Sequence, residues 1–159
     1  MLILYQAVVS LLLLLSPFII ILRILKKKED TLRFKEKFCL FTKKRVNGKL
    51  IWFHGASVGE IMSIIPLIRI YEKSKSIDQI LVTSSTLSSS KIIRKFNFKK
   101  TVHQFYPIDH FYFTSKFLNY WKPNLAIFIE SEIWPSMFKN LKKNNTKLLL
   151  LNARLTKQT

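Results

Sequence analysis

Residues 50–60 read Leu50-Ile51-Trp52-Phe53-His54-Gly55-Ala56-Ser57-Val58-Gly59-Glu60 and contain a change from strand to helix. The apolar run up to His54 is typical of a buried strand, and from Val58 the apolar residues have helical spacing. The small residues between them let the backbone turn tightly and let a ligand approach it closely. A strand, a short turn and a helix in this order predict the opening unit of a parallel α/β sheet.

The same alternation continues towards the C-terminus. Strands are predicted at Leu50–His54, Gln79–Thr83, Thr101–Tyr106, Leu125–Glu130 and Lys147–Asn152. Helices are predicted at Val58–Lys73, Leu87–Lys95, Phe111–Trp121 and Pro135–Lys142. Uniformly apolar strands suit a parallel sheet that helices cover on both faces. We therefore predict the α/β class, with a Rossmann-like parallel sheet in a domain of residues 49–159.

An uncharged apolar run, Leu2–Leu22, precedes this domain. As a helix it would be roughly 32 Å long, close to the ~30 Å hydrocarbon core of a bilayer. It lacks the basic start and the cleavage site of a signal peptide, and it is followed by Arg23 and Lys26–Lys28. We predict an anchor helix over residues 1–25 with the domain on the cytoplasmic side, where flanking positive charges stay. Shallow insertion into one leaflet fits the sequence as well as a full crossing.

The composition is strongly basic. The 159 residues include 27 Lys and Arg against 9 Asp and Glu, a net charge of +18. A hydrophobic content of 48% excludes a disordered basic tail, and the single Cys39 excludes a disulfide framework. Residues 26–48 form a basic juxtamembrane segment, which either contacts anionic headgroups or is a solvated linker. Compositional bias is an equally good explanation of the overall charge.

Candidate site residues follow the first strand, because ligands of open parallel sheets bind beyond the carboxyl ends of the strands. Gly55, Ala56, Ser57 and Gly59 would let a ligand reach the backbone, and the N-terminus of the next helix suits an anion. Glu60 lies in the first turn of that helix, where the helix dipole favours a charged carboxylate. It is either a general base facing the crevice or a residue that only stabilises its helix.

Further polar residues follow the fourth and fifth strands. Glu130 and Glu132 come after the fourth strand, while Asn152 and Arg154 come after the fifth. The Arg154 guanidinium would bind a carboxylate or phosphate, or pair with a glutamate of the same rim. Two glutamates without an accompanying Asp or His cluster do not predict a metal site.

Other cofactor chemistry is disfavoured by the motifs. The first turn lacks the G-x-G-x-x-G pattern of dinucleotide sites, and no acidic residue follows the second strand. The hydroxyl-rich turn Thr83–Thr86 is more typical of a helix cap than of a site. His54, His103 and His110 lack the spacing of metal ligands, and the last two are expected to be structural.

Four spaced motifs together resemble the N-terminal half of the 3-deoxy-D-manno-octulosonic acid (Kdo) transferases of lipopolysaccharide synthesis. The motifs are His54–Glu60, Trp121–Pro123, Glu130–Pro135 and Asn152–Leu155. The resemblance implies a GT-B glycosyltransferase of two Rossmann-like domains that transfers Kdo from CMP-Kdo to the lipid A precursor, lipid IVA. It also implies inversion at the anomeric centre, no metal or other cofactor, and location at the cytoplasmic face of the inner membrane.

The resemblance further implies roles for individual residues. By similarity, Glu60 is the proton acceptor and Glu130 assists the transition state. The remaining rim residues would bind substrate: Gly55, Ala56, Ser57, Gly59, Glu132, Asn152 and Arg154. The segment Ser85–Ser88 departs from the family pattern because it lacks the Pro and Gly usual there.

Two hypotheses follow from the sequence. In the first, the chain is the N-terminal half of a Kdo transferase, and the C-terminal donor-binding domain is supplied by another chain or by the remainder of the gene; no nucleic-acid partner is then expected. In the second, it is a non-catalytic membrane-anchored module that binds anionic lipid or nucleic acid through its basic surface. Three glutamates on one rim, in a chain with few acidic residues, favour the enzyme.

Overall fold

The computed structural model describes residues 2–130 and 133–152. The strands are β1 (Leu50–His54), β2 (Gln79–Ser84), β3 (Thr101–Phe105), β4 (Leu125–Ile129) and β5 (Lys147–Leu151). The helices are α1 (Leu2–Leu25), α2 (Val58–Lys73), α3 (Leu87–Arg94), α4 (Phe111–Trp121) and α5 (Pro135–Lys143), with a 3₁₀ helix at Phe34–Phe38. Each predicted strand and helix is therefore found, with ends that differ by one residue at most.

The five strands form one parallel sheet in the order β3-β2-β1-β4-β5. The chain moves outward in one direction from β1 to β3 and then returns to the other side of β1 for β4 and β5. This confirms the Rossmann-like α/β fold. The switch in direction lies between β1 and β4, which is where sheets of this kind form a ligand crevice.

The core has two layers because successive side chains of a strand point to opposite faces of the sheet. On one face Trp52 packs with residues of α4 and α5, including Phe117 and Met137. On the other face Phe53 packs with isoleucines of α2, such as Ile64. Both faces of β1 are thus covered, as its uniformly apolar sequence predicts.

Two strands are followed directly by residues with left-handed backbone conformation. Glu130 has φ 58° and Asn152 has φ 57°, so that β4 and β5 each end one residue earlier than the sequence predicts. A positive φ cannot continue a strand. Both residues therefore lie in the loops beyond the carboxyl edge of the sheet.

The basic segment between α1 and β1 packs on the domain. Glu36 of the 3₁₀ helix is fully buried, pairs with Arg33 at 2.8 Å and accepts the Phe105 N–H at 2.8 Å. Arg33 also donates to the carbonyl of His103 at 2.8 Å. Residues 33–36 are consequently part of the folded core around β3 as well as part of the basic segment.

Helix α1 is long and apolar enough, by length and composition, to cross a membrane over Ile3–Leu25. In the structure it contacts the domain near its first turn. Tyr5 donates a hydrogen bond to the Asp109 carboxylate at 2.8 Å, and Gln6 accepts one from the Phe111 N–H at 3.1 Å.

Candidate active site

The turn between β1 and α2 is held by a capping box. The Ser57 hydroxyl accepts the Glu60 N–H at 3.2 Å, while the Glu60 carboxylate accepts the N–H of Ala56 at 2.8 Å and that of Ser57 at 3.3 Å. The sequence Ser-x-x-Glu produces this arrangement at a helix N-terminus. Glu60 is thereby fixed in one orientation, with 8% of its surface exposed.

The two glycines of this turn have different surroundings. A Cβ at Gly55 would lie 3.1 Å from the Cβ of Glu60 and 3.3 Å from Cδ1 of Ile61. A Cβ at Gly59 would meet only the Ser57 hydroxyl, at 3.9 Å. Gly55 therefore permits close packing against the Glu60 side chain, whereas Gly59 leaves an open surface beside the turn.

Glu130 directly follows β4, the strand next to this turn. In the pairing of β1 with β4, His54 is opposite Phe128, so the segments that follow these two strands leave the sheet at neighbouring points. The Glu130 N–H donates to the carbonyl of Leu151 at 2.7 Å, and its side chain is exposed. The carboxylates of Glu60 and Glu130 consequently belong to adjacent strand ends at the crossover point of the sheet.

The remaining predicted rim residues are placed only in part. Asn152 is exposed directly after β5, next to the β4 end that carries Glu130. Glu132 and Arg154 lie outside the described residues. Within residues 2–130 and 133–152, no three His, Cys, Asp or Glu side chains come together as potential metal ligands.

His54 is the fully buried last residue of β1 and lies next to the turn. Its Nδ1 lies 3.0 Å from the Thr83 hydroxyl, which accepts the indole N–H of Trp52 at 2.8 Å. Complete burial lowers the pKa of His54 to about 3, so the ring is neutral at physiological pH. Its ring centre is 4.0 Å from that of Tyr106, in the loop after β3. We infer that His54 supports the rim by packing and not by proton transfer.

The other two histidines are structural, as expected. Buried His103 bonds to Arg33 through Nδ1 and to Ser84 through Nε2, and burial together with the nearby guanidinium lowers its pKa. His110 caps α4 by accepting the Tyr112 N–H at 3.2 Å.

The loop after β2 also behaves as a helix cap, which confirms that prediction. Thr86 accepts the Ser89 N–H at 3.2 Å at the start of α3. The Ser89 hydroxyl in turn donates to the carbonyl of Ala56 at 3.4 Å. The loops after β1 and β2 are therefore linked at the rim.

Asp109 is a residue of this edge that sequence reasoning missed. It is 3% exposed and accepts the N–H groups of Ser136 at 3.0 Å and Met137 at 2.9 Å, in the first turn of α5. Burial raises its pKa. The signal in the sequence was the adjacent polar pair Tyr5 and Gln6 near the start of a mostly apolar helix, since Tyr5 is the partner of Asp109.

This arrangement suits the removal of a proton from a hydroxyl group. One carboxylate is fixed at a helix N-terminus, and a second lies at the next strand end. Each Glu60 oxygen accepts one backbone N–H and keeps a further lone pair with which it can take a proton.

Comparison with known proteins identifies the family. Residues 32–159 match the family model described as 3-Deoxy-D-manno-octulosonic-acid transferase (kdotransferase). The 3-deoxy-D-manno-octulosonic acid transferase of Rickettsia bellii is 46% identical over 138 residues, which are 87% of this chain and 33% of the relative.

More distant relatives have the same name. The probable mitochondrial 3-deoxy-D-manno-octulosonic acid transferase of Arabidopsis thaliana is 38% identical over 134 residues, 84% of this chain and 30% of the relative. The 3-deoxy-D-manno-octulosonic acid transferase of Haemophilus influenzae is 30% identical over 106 residues, 67% of this chain and 25% of the relative. The chain thus spans a third or less of the length of these relatives. It belongs to the 3-deoxy-D-manno-octulosonic acid transferase family.

Proposed function

We propose that the chain forms the acceptor-activating half of an inverting glycosyltransferase that moves Kdo from CMP-Kdo to the lipid A precursor, lipid IVA. The observation that carries this proposal is the Glu60 carboxylate, fixed by two backbone N–H groups at the crossover point of the sheet. Family membership provides the reaction, and the site provides a group able to perform its proton transfer.

In the proposed reaction Glu60 is the general base. It takes the proton from a sugar hydroxyl of the acceptor as the hydroxyl oxygen attacks the anomeric carbon of Kdo. The bond from that carbon to the CMP phosphate breaks, and CMP leaves with the bonding electrons. Because attack and departure occur on opposite faces, the configuration inverts.

Glu130 is proposed to assist the transition state. The anomeric carbon becomes electron-poor as CMP departs, and a carboxylate nearby stabilises that positive charge. The exposed side chain of Glu130, at the strand end beside the Glu60 turn, is available for this role.

The proposed substrate contacts use the open part of the turn. Ala56 is half-buried, Ser57 and Gly59 are exposed, and buried Gly55 keeps the backbone close to Glu60. The N-terminus of α2 suits an anionic group of a substrate. Asn152, together with Glu132 and Arg154, is proposed to contact substrate from the other side of the crevice.

We propose that a C-terminal domain supplies most of the CMP-Kdo pocket, as in a GT-B enzyme. The chain matches only a third or less of its relatives. Helix α1 would hold this assembly at the cytoplasmic face of the inner membrane, beside a lipid acceptor. The proposal includes no metal or other cofactor.

The test is a transfer assay. The chain is joined to the remaining part of the Rickettsia bellii relative, and transfer of Kdo from CMP-Kdo to lipid IVA is measured by mass spectrometry. We expect transfer by the joined protein and none by residues 1–159 alone.

Absence of transfer by a folded joined protein would contradict the proposal. The alternative, a basic binding module, would then predict association of residues 1–159 with anionic vesicles or RNA that falls steeply with salt and does not depend on Glu60.

A further inference from the structure

Helix α1 is tied to the domain near both ends. Close to its start, Tyr5 donates to Asp109 at 2.8 Å. Close to its end, Arg23 pairs with Glu29 at 2.9 Å, and Glu29 also pairs with Lys37 of the 3₁₀ helix. A helix of 24 residues held at these two points lies along the domain.

The two long faces of α1 differ. A half-buried stripe recurs at helical spacing and faces the domain; it consists of Tyr5, Val9, Leu13, Ser16 and Ile20. The opposite face is apolar and exposed over its length, with Leu4 71%, Leu11 61%, Leu14 78%, Phe18 65% and Leu25 73% exposed. An exposed apolar face of this length is suited to contact the hydrocarbon of a membrane.

A cavity of about 530 Å³ separates the inner stripe from the domain. Its domain wall includes Phe38, Pro107 and Ile108, and its residues on α1 run from Tyr5 to Arg23. That distance along the helix is roughly 27 Å, so the cavity is elongated along α1. The lining is mostly apolar, and its charged residues are paired within the protein: Arg23 and Lys37 with Glu29, and Asp109 with Tyr5 and the Met137 N–H. An extended hydrocarbon chain fits this shape and lining.

The cavity also reaches the candidate active site. It is lined by Ser85 after β2, by Tyr106 after β3 and by Trp134 after β4. The ring of Tyr106 packs on His54, the last residue of β1 before the Glu60 turn. A molecule with its tail in the cavity would therefore have its polar head at the rim that carries Glu60.

We propose that the cavity holds one acyl chain of the glycolipid acceptor. The occupant follows from the elongated apolar shape, from the continuity of the cavity with the rim and from the exposed apolar face of α1, which places a bilayer next to it. The identity of the head group rests on the proposed transferase function. The binding of a hydrocarbon chain in the cavity does not depend on that function.

The test is photolabelling of the full chain in detergent micelles with a diazirine derivative of palmitic acid. Leu13→Trp fills the cavity, and Leu14→Trp places the same side chain on the outer face as a matched control. We expect crosslinks to residues 106–109 of the domain wall in the wild type and in Leu14→Trp. In Leu13→Trp these crosslinks fall roughly tenfold or more, because each methylene displaced costs about a factor of four in affinity.

Domain-wall labelling that is equal in the two variants, or labelling confined to the outer face of α1, would overturn the proposal. Circular dichroism checks the fold, and Val9→Trp replaces Leu13→Trp if that variant unfolds. The assay needs neither CMP-Kdo nor a second domain. Normal labelling in a joined protein without Kdo transfer would thus count against the transferase and not against the cavity.

Discussion

The two glycines after β1 provide a matched pair for testing the turn. Gly55→Ala places a Cβ 3.1 Å from the Glu60 Cβ, so that α2 or the Glu60 side chain must shift. We expect it to destabilise the chain by about 1–3 kcal/mol and to lower Kdo transfer by the joined protein. Urea unfolding and the transfer assay measure the two effects.

Gly59→Ala is the control because its Cβ meets only the Ser57 hydroxyl, at 3.9 Å. In the first turn of a helix this change should be neutral or stabilise by up to about 1 kcal/mol. Equal destabilisation by the two substitutions would show that the close approach at Gly55 does not matter.

The buried histidines make stability depend on pH. The pKa of His54 is lowered to about 3 and that of His103 is also lowered, whereas both rise to about 6.5 on unfolding. Below pH 6.5 the unfolded chain therefore binds protons that the folded chain does not. The free energy of unfolding consequently decreases as the pH is lowered. The slope is up to about 1.4 kcal/mol per pH unit for each histidine.

This effect is measured by urea unfolding in detergent between pH 7 and pH 5. Asp109 acts in the opposite direction, since its raised pKa lets the folded chain take up a proton first as the pH falls. The wild type is therefore compared with His54→Asn. The free energy of unfolding of His54→Asn should change less per pH unit than that of the wild type. Identical slopes would contradict a neutral buried His54.

At the scale of elements, the 3₁₀ helix is held to the domain by the buried ion pair of Glu36 with Arg33. Glu36 is fully buried, and the Arg33 side chain that it holds is 11% exposed. Glu36→Gln leaves that guanidinium without its counter-charge and should destabilise the chain by about 3 kcal/mol in urea unfolding. Exposed Lys35→Gln, one residue away, should change stability by at most about 0.5 kcal/mol. A small effect at Glu36 would mean that this segment is not part of the core.

The strands and helices could be predicted because their signals are local. The apolar run of β1, the spacing of α2 and the Ser57-to-Glu60 capping box are all visible within about ten residues. The burial of Glu36 was not predictable in this way, since its partner Phe105 lies 69 residues further along the chain. In the sequence Glu36 is one acidic residue in a basic segment.

The positions of Glu60 and Glu130 in the candidate site could also be predicted from the sequence. The rule for parallel sheets places Glu60 and Glu130 at neighbouring strand ends, and the structure has them there. The polar pair Tyr5 and Gln6 is a local signal that α1 makes a polar contact, but its partner Asp109 is 104 residues from Tyr5 and could not be identified from the sequence.

At the scale of the whole molecule, part of the +18 charge has an internal role. Arg33 is bound to Glu36 and His103, and Arg45 donates to the carbonyl of Trp121 at 2.6 Å. These cations hold the segment after α1 against the sheet. The excess charge therefore cannot be attributed wholly to an anionic partner.

The central claim is that Glu60 takes the proton of the acceptor hydroxyl in Kdo transfer. Glu60→Gln in the joined protein tests it most directly, because glutamine keeps the capping box and loses the base. We predict that kcat for transfer to lipid IVA falls roughly 10²–10⁴-fold while the free energy of unfolding changes by less than about 1 kcal/mol. Wild-type kcat in Glu60→Gln, or a loss of activity accompanied by a matching loss of folding, would contradict the claim.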